Sequence, residues 1–198
     1  MTSRRHTDAA LLDAARDCVA RVGVRRTTVA DVARRAGASR MTVYRLFPDA
    51  RTLWSTLLTR EFGDVVAEAE AAAASLPTAR ERLVAATAHA VERIATDPVV
   101  RRVLELDPEV LVPYITERLG QSQRIAMEQF HRYLEAGRGD GSMRELDDRA
   151  VAYLLQLVVS SVVLASRVTE READPGAVAR ELAHMLDAFL APGRPELR

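Results

Sequence analysis

The sequence lacks residue types on which several classes of protein depend. It contains no lysine, so that all 28 basic residues are arginine, no asparagine, and a single cysteine, Cys18. One cysteine excludes an intrachain disulfide, and we interpret Cys18 as a small core residue of the first helix rather than a redox switch. The four histidines are scattered, and none forms a metal-ligand pair with another histidine or with Cys18. The sequence therefore predicts no metal site and no cofactor.

The motifs of common enzyme classes are also missing. There is no Gly-x-Ser-x-Gly motif, and the spaced glycines Gly137, Gly139 and Gly141 follow no strand, so they predict a turn rather than a phosphate loop. Acidic residues are spread along helices as solvated faces. We therefore predict that the protein is not an enzyme, and a cofactor-free helical enzyme is the alternative left open.

The longest run without a charge covers residues 150–166, which is close to the lower length limit for a membrane span. Gln156 and three serines interrupt this run. A helix that is apolar on all sides is also expected where one face meets its own core and the other meets a partner subunit. Residues 1–8 lack the apolar run of a signal peptide. We therefore predict no membrane partner and a cytoplasmic location.

The residues that are present predict an all-α fold. Alternation of the strand type is nowhere sustained, whereas helix-capping signals recur along the chain. We expect these signals at Asp49 before a long helix, at the Thr78-x-x-Glu81 capping box before a helix to about Thr96, at Asp97-Pro98, at Asp107-Pro108, at Pro113 before a long helix towards Ala136, at Asp147 or Asp148, and at Asp174-Pro175.

The net charge of zero conceals a strong separation of charge along the chain. Residues 1–60 hold 12 arginines and 5 acidic residues, whereas residues 61–198 hold 16 arginines and 23 acidic residues. The net charges are therefore +7 and −7. A basic N-terminal part favours binding of a polyanion through that end, with an affinity that falls as salt is added.

Residues 28–47 are the most informative segment of the sequence. Val29, Val32 and Ala33 recur at helical spacing, and Gly37 then supplies a turn. Ser39 is placed to cap a second short helix, whose inner face carries Val43, Leu46 and Phe47. Its other side chains (Arg40, Met41, Thr42, Tyr44 and Arg45) suit the major groove of DNA. A helical hairpin with a solvated basic face is the alternative.

Residues 11–54 resemble the DNA-binding domain of the TetR family of transcriptional regulators. The resemblance is carried by the Gly23 stop, the Thr27-Thr28 entry, the Ala36-Gly37-x-Ser39 turn, and the run Thr42-x-Tyr44-x-x-Phe47-Pro48. It implies an N-terminal three-helix helix-turn-helix DNA-binding domain plus a C-terminal helical effector-binding and dimerisation domain. We accordingly expect a DNA-binding domain at residues 1–50, a connecting helix at about 50–75, and the second domain at 76–198.

The resemblance also implies a function and a set of DNA contacts. We expect a homodimeric regulator that binds double-stranded DNA at a palindromic operator, most simply a repressor released by a small-molecule effector; a ligand-responsive activator is the alternative. The expected DNA-contacting residues are Thr28, Ser39, Arg40, Met41, Thr42, Tyr44, Arg45 and Arg51. Thr28, Ser39 and Tyr44 resemble phosphate contacts of the family, and Arg45 can reach guanine as a bidentate donor or stay solvated.

The sequence departs from the family pattern at two positions. Leu46 stands where His or Tyr is common, and Ala50 stands where Lys is usual, so that Arg51 is the available substitute.

Outside the DNA-binding segment, the sequence indicates candidate residues for an effector pocket and for a dimer interface. Polar or aromatic residues on otherwise apolar helices are the candidates for an effector pocket, which would favour a lipophilic or aromatic effector: His89, Tyr114, Met127, His131, Tyr153 and Gln156. The last two long helices are expected to form the dimer interface, or else plain monomer core, through Leu157, Ser160, Ser161, Leu164, Ala165, Val178, Leu182, Met185 and Phe189.

Overall fold

The computed structural model describes residues 2–113 and 119–193, and these residues form helices and loops without a strand. The α-helices are α1 (Thr2–Val22), α2 (Val29–Arg35), α3 (Arg40–Leu46), α4 (Ala50–Ala73), α5 (Ala79–Thr96), α6 (Pro98–Leu106), α7 (Gln121–Gly139), α8 (Asp148–Leu164), α9 (Ser166–Glu172) and α10 (Pro175–Leu190), with a 3-10 turn at Pro108–Val110. The predicted all-α fold class is confirmed.

The chain divides into two compact units that interleave along the sequence. Unit 1 comprises residues 1–62 and 96–121, and unit 2 comprises residues 63–95 and 122–198. The sequence suggested a linear division at residues 50 and 76, whereas α6 and the 3-10 turn belong to the N-terminal unit. The reason is that one face of α6, carrying Val99 and Val103, is buried in the same core as α1.

The core of unit 1 is built from the inner faces of its helices. Leu11 of α1, Val32 of α2, Val43 of α3 and Leu53 of α4 are completely buried in it. Cys18 is half-buried and packs against this core, and burial raises the pKa of its thiol. The short helices α2 and α3 are thus held by packing, because isolated helices of this length are not stable in water.

Unit 2 has its own core, to which α5, α7, α8 and α10 all contribute. Fully buried leucines from the four helices, Leu83, Leu134, Leu155 and Leu190, meet there. Small residues, including Ala73 of α4 and Ala86 of α5, form a second, alanine-rich cluster in this unit.

Five of the expected capping signals start helices, whereas Asp107 makes no side-chain cap to the 3-10 turn that follows it. The carboxylate of Asp49 accepts the N–H of Thr52 at 2.6 Å, and Glu81 accepts the N–H of Thr78 at 3.0 Å in a reciprocal capping box. Asp97, Asp147 and Asp174 cap α6, α8 and α10 in the same way. These predictions are confirmed.

Two predictions between α6 and α8 are wrong. A helix from Pro113 to Ala136 does not form as expected, because Leu119 and Gly120 are not helical and α7 begins at Gln121. The glycines at 137 and 139 do not form a turn but continue α7. A Cβ at Gly137 would lie 2.6 Å from Cγ of Met143, so the missing side chain makes room for Met143 in the core. The turn follows at Gly141, which has φ +71°.

The uncharged run at 150–166 does not form one straight helix. Its helical part ends at Leu164, and α9 continues from Ser166 at an angle of 62° to α8. Among the described residues no single helix meets the length and hydropathy of a membrane span; α8 and α9 meet them only when taken together.

Candidate nucleic-acid interface

The first half of the helix-turn-helix is fixed by reciprocal hydrogen bonds at the start of α2. The hydroxyl of Thr28 accepts the N–H of Asp31 at 3.1 Å, and the carboxylate of Asp31 accepts the N–H of Thr28 at 3.1 Å. The Thr28 hydroxyl also donates to the Asp31 carboxylate at 2.6 Å. This bond, the one from the Thr28 N–H and one from Arg34 lower the pKa of Asp31. The Thr28 hydroxyl is therefore occupied within the protein, although it is exposed and its other lone pair is free for a further contact.

The turn between α2 and α3 is a Schellman motif. Gly37 adopts φ +64°, its N–H donates to Arg34 O at 3.3 Å, and the N–H of Ala38 donates to Ala33 O at 2.9 Å. Only a residue without Cβ adopts this conformation without strain. The position of Gly37 therefore sets the angle at which α3 leaves α2.

Helix α3 presents one buried face and one exposed face. Ser39 caps it by accepting the N–H of Thr42 at 3.1 Å, while Val43 and the following Phe47 are buried in the core of unit 1. The opposite side carries Arg40, Met41, Tyr44 and Arg45, all exposed, and Thr42 is half-buried. Leu46 packs against the core and offers no polar contact.

The arginines of unit 1 fall into two groups. Arg25, Arg34 and Arg35 are exposed but form ion pairs with Glu109, Asp31 and Asp17. Within the described ranges, no carboxylate lies within ion-pairing distance of Arg40, Arg45 or Arg51, which are also exposed. Hydrogen bonds from Thr52 and, to a smaller extent, the nearby positive charge of Arg51 lower the pKa of the Asp49 carboxyl, but Asp49 and Arg51 do not form an ion pair. Three guanidinium groups without ion pairs on α3 and the first turn of α4 are what a phosphate-rich partner would bind.

A buried carboxylate from a distant part of the chain supports the segment before α2. Oδ2 of Asp107 accepts the N–H of Val24 at 2.7 Å and the N–H of Arg25 at 3.3 Å. Gly23, with φ +83°, is the residue that allows this approach, because a Cβ there would collide with the Asp107 carboxylate. The sequence marked Asp107-Pro108 only as a helix boundary, so the contact to residues more than 80 positions away was missed.

A second set of ionic contacts joins α1, α4 and α6. Arg16 donates to Glu61 at 2.6 Å and to Asp97 at 2.7 Å, and Arg60 donates to Glu61 at 2.9 Å and to Asp13 at 2.8 Å. The other oxygen of Asp97 caps α6 through the N–H of Val99. Partly buried pairs of this kind favour one arrangement of the three helices. Their signal in the sequence was again only the Asp-Pro dipeptide.

The candidate effector residues lie in different environments of unit 2. His89, Met127 and His131 are half-buried, whereas Gln156 is 5% exposed and donates to the Ser160 hydroxyl at 2.7 Å. Tyr153 is exposed, and Tyr114 lies outside the described residues. The part of the chain that is described holds no cluster of three or more His, Cys, Asp or Glu placed to bind a metal.

The candidate dimer residues divide between two faces of α8 and α10. Leu182 belongs to the core of unit 2, and Phe189 packs against that core under the guanidinium of Arg144. Ser160, Leu164 and Val178 are half-buried. An exposed apolar surface, hereafter the α8/α10 face, carries Leu157 and Met185 together with Tyr153, Leu154, Ser161 and Ala165. The core interpretation therefore applies to the inner faces of these helices, and the dimer interface stays a prediction for the α8/α10 face.

Comparison with known proteins agrees with the helix-turn-helix geometry. The pattern described as "Bacterial regulatory proteins, tetR family" matches residues 11–53. The chain is 35% identical over 187 residues to the HTH-type transcriptional regulator Rv2250c of Mycobacterium tuberculosis, covering 94% of this chain and 96% of that protein.

Solved structures agree in fold. A TetR-family transcriptional regulator from Pectobacterium atrosepticum has a TM-score of 0.73 at 19% identity, over 98% of this chain and 99% of that one. The transcriptional regulator FadR from Bacillus subtilis, in complex with stearoyl-CoA, has a TM-score of 0.71 at 20% identity, over 92% and 98%. These relatives are transcriptional regulators and not enzymes. The family suggested by residues 11–54 is thereby confirmed: this chain belongs to the TetR family of bacterial transcriptional regulators.

Proposed function

We propose that this regulator is a cytoplasmic homodimeric repressor that binds a palindromic operator through α3 and leaves it when a small molecule binds unit 2. The observation that carries the DNA-binding part is the exposed set Arg40, Arg45 and Arg51, for which no ion pair is found within the described residues. Arg25, Arg34 and Arg35 of the same unit are instead paired with carboxylates, so their charge is partly offset within the protein.

The DNA contacts follow from where each group lies. Arg45 donates to O6 and N7 of a guanine, a contact worth about 1–3 kcal/mol of discrimination. Tyr44 and Thr42 donate to phosphates through their hydroxyls, and Arg40 and Arg51 neutralise phosphates at the two ends of the helix. Thr28 and Ser39 lie at the starts of α2 and α3, where a hydroxyl or an N–H group donates to a phosphate oxygen and holds the backbone in register.

The dimer is proposed from the α8/α10 face. An exposed surface with Leu157, Met185 and the small residues Ser161 and Ala165 allows close approach of a second copy. Two α3 helices held at a fixed separation contact two half-sites in successive major grooves, which a single seven-residue helix cannot do.

Release by a ligand is proposed from the body of the protein. The apolar helices of unit 2 carry His89, Met127, His131 and Gln156 as polar or adaptable groups, which favours a lipophilic or aromatic effector. The stearoyl-CoA complex of FadR from Bacillus subtilis supports a large apolar ligand as one possibility to test. A ligand shifts the protein off DNA only by its difference in affinity for the two conformations.

The experiment is an operator-binding titration with full-length protein on DNA selected from a random pool. Arg45→Ala should lose preference at one base pair per half-site, whereas Arg124→Ala, which removes an exposed arginine of α7, should leave affinity and preference unchanged. A uniform loss for all sequences would reassign Arg45 to phosphate contact. Failure of the wild-type protein to select any sequence would refute operator binding, and stimulation rather than inhibition of a reporter promoter would favour the activator.

A further inference from the structure

The most exposed large hydrophobic side chain recorded in unit 1 lies on the helix proposed to enter DNA. Met41 of α3 is 77% exposed, whereas the other long apolar side chains of the helix-turn-helix, Leu46 and Phe47, pack into the core. Its neighbours one turn along α3 are Tyr44 and Arg45, both exposed, so its thioether lies beside a phenol and a guanidinium group. A thioether held in water in this position gains nothing from folding.

The helical geometry puts Met41 at the middle of the outward face. With 100° per residue, Met41 and Arg45 both lie about 160° around α3 from Val43, one on each side, and about 40° from each other. Val43 is completely buried, so the direction opposite to it points straight away from the core of unit 1. Thr42 and Tyr44 lie about 100° to either side of Val43 and therefore form the flanks of this face.

A helix seated in the major groove has different partners at its centre and at its flanks. The flanks meet the phosphate backbones, and the centre meets the base edges on the floor of the groove. The hydroxyl groups of Thr42 and Tyr44 suit phosphates, and the guanidinium of Arg45 suits guanine. Met41 has no hydrogen-bond donor and only a weakly accepting sulfur, so it cannot satisfy the polar edges of guanine, cytosine or adenine.

The C5-methyl of thymine is the apolar group that the four bases display in the major groove. We propose that Met41 contacts the C5-methyl group of a thymine in each half-site and so specifies that base. Because Met41 and Arg45 are neighbours one helical turn apart, this thymine lies within about two base pairs of the guanine contacted by Arg45. The inference rests on the proposed operator binding by α3 and adds the base that the apolar side chain selects.

The test removes the methyl group and nothing else. After full-length wild-type protein has selected its sequence from a random duplex pool, each thymine of the half-site is replaced in turn by deoxyuracil, symmetrically in both half-sites. At one position the affinity should fall by roughly 15-fold, which is about fourfold for each methyl group lost. Deoxyuracil at the other thymines should have little effect.

Variants then connect this effect to the side chain. Met41→Ala should bind the thymine and deoxyuracil operators with equal affinity, and Met41→Leu should keep most of the difference in affinity between them. Arg45→Ala should keep this difference in full while losing its preference for guanine at another base pair. Since Met41 is exposed, all three variants should fold, which thermal unfolding checks. This comparison separates base contact from a general loss of affinity.

Two results would overturn the inference while leaving operator binding intact. One is a selected half-site in which no thymine is sensitive to uracil, and the other is a sensitivity that Met41→Ala retains. Absence of any selected sequence would instead refute the proposed function on which the inference rests.

Discussion

The contact between Gly23 and Asp107 makes the sharpest prediction about stability. Gly23 has φ +83°, and its missing side chain leaves the space in which the Asp107 carboxylate accepts the N–H groups of Val24 and Arg25. Gly23→Ala should cost about 1–2 kcal/mol for the left-handed conformation. The new Cβ should also displace the carboxylate, and loss of a charge-assisted bond from a buried acceptor costs about 1.5–3 kcal/mol. The total is about 2.5–5 kcal/mol.

Gly37 supplies a matched control for this substitution. It has φ +64°, but a Cβ there would meet no atom within 4 Å. Gly37→Ala should therefore lose only the conformational part, about 1–2 kcal/mol. The difference between the two variants reports mainly the contribution of Asp107, since the other close atom, Cδ1 of Leu106 at 3.3 Å, is the end of a flexible side chain.

The single tryptophan provides the assay. Trp54 packs against the core of unit 1, so its fluorescence during urea titration of the full chain follows unfolding of that unit. In an Asp107→Ala background, Gly23→Ala should cost no more than Gly37→Ala, because the colliding group is gone. Equal losses for the two glycine variants in the wild-type background would refute the reasoning.

Three further outcomes are expected. Operator affinity should fall with added salt by about 0.9 log units per log unit for each phosphate neutralised, as measured by fluorescence anisotropy, and a flat response would exclude phosphate-led binding. Leu157→Glu on the α8/α10 face should shift the protein to monomers in sedimentation velocity. Leu106→Glu is the control and should not, since Leu106 is 41% exposed and Leu157 is 40% exposed. If both variants remained dimers, the proposed interface would be refuted. Hydrogen bonds from Ser142 and from the N–H of Ala79 lower the pKa of the Asp140 carboxyl below its usual 3.8. The folded chain therefore binds a proton at Asp140 more weakly than the unfolded chain does. This difference stabilises the fold above about pH 4, and the stabilisation is lost as the pH falls through the lowered pKa. Asp140→Asn should therefore lose less melting temperature than wild type between about pH 5 and pH 3, while Glu135→Gln should behave like wild type; identical acid dependence of all three would contradict this role.

The helix-turn-helix was predictable because its determinants are local. The capping box of Thr28 and Asp31, the left-handed Gly37 and the cap at Ser39 each act on backbone groups a few residues away. These residues mark where a helix starts and stops, so the pattern in the sequence places α2 and α3, although packing against the core of unit 1 is what keeps them folded.

Packing in the core decided two features that the local sequence left open: where α7 ends and which apolar residues of α10 are buried. The spaced glycines at 137–141 suggested a turn, but Gly137 stays helical because Met143 needs the space beside it. On α10, Leu182 and Met185 have equivalent patterns in the sequence, yet Leu182 is buried in the core of unit 2 and Met185 is exposed. A hydrophobic stripe indicates that a helix has an apolar face without indicating how wide the covered part is.

By itself the sequence determined the all-α class, most helix starts with their caps, the basic N-terminal part and the family, since all of these are properties of neighbouring residues or of composition. Only the tertiary structure decided that α6 belongs to unit 1 and that Asp107 supports the segment before α2. It also decided that Arg40, Arg45 and Arg51 form no ion pair within the described residues while Arg34 and Arg35 do. The physical reason is that a charge or a buried carboxylate takes its partner from whatever the folded chain brings within a few ångströms. That distance in space bears no fixed relation to distance along the sequence.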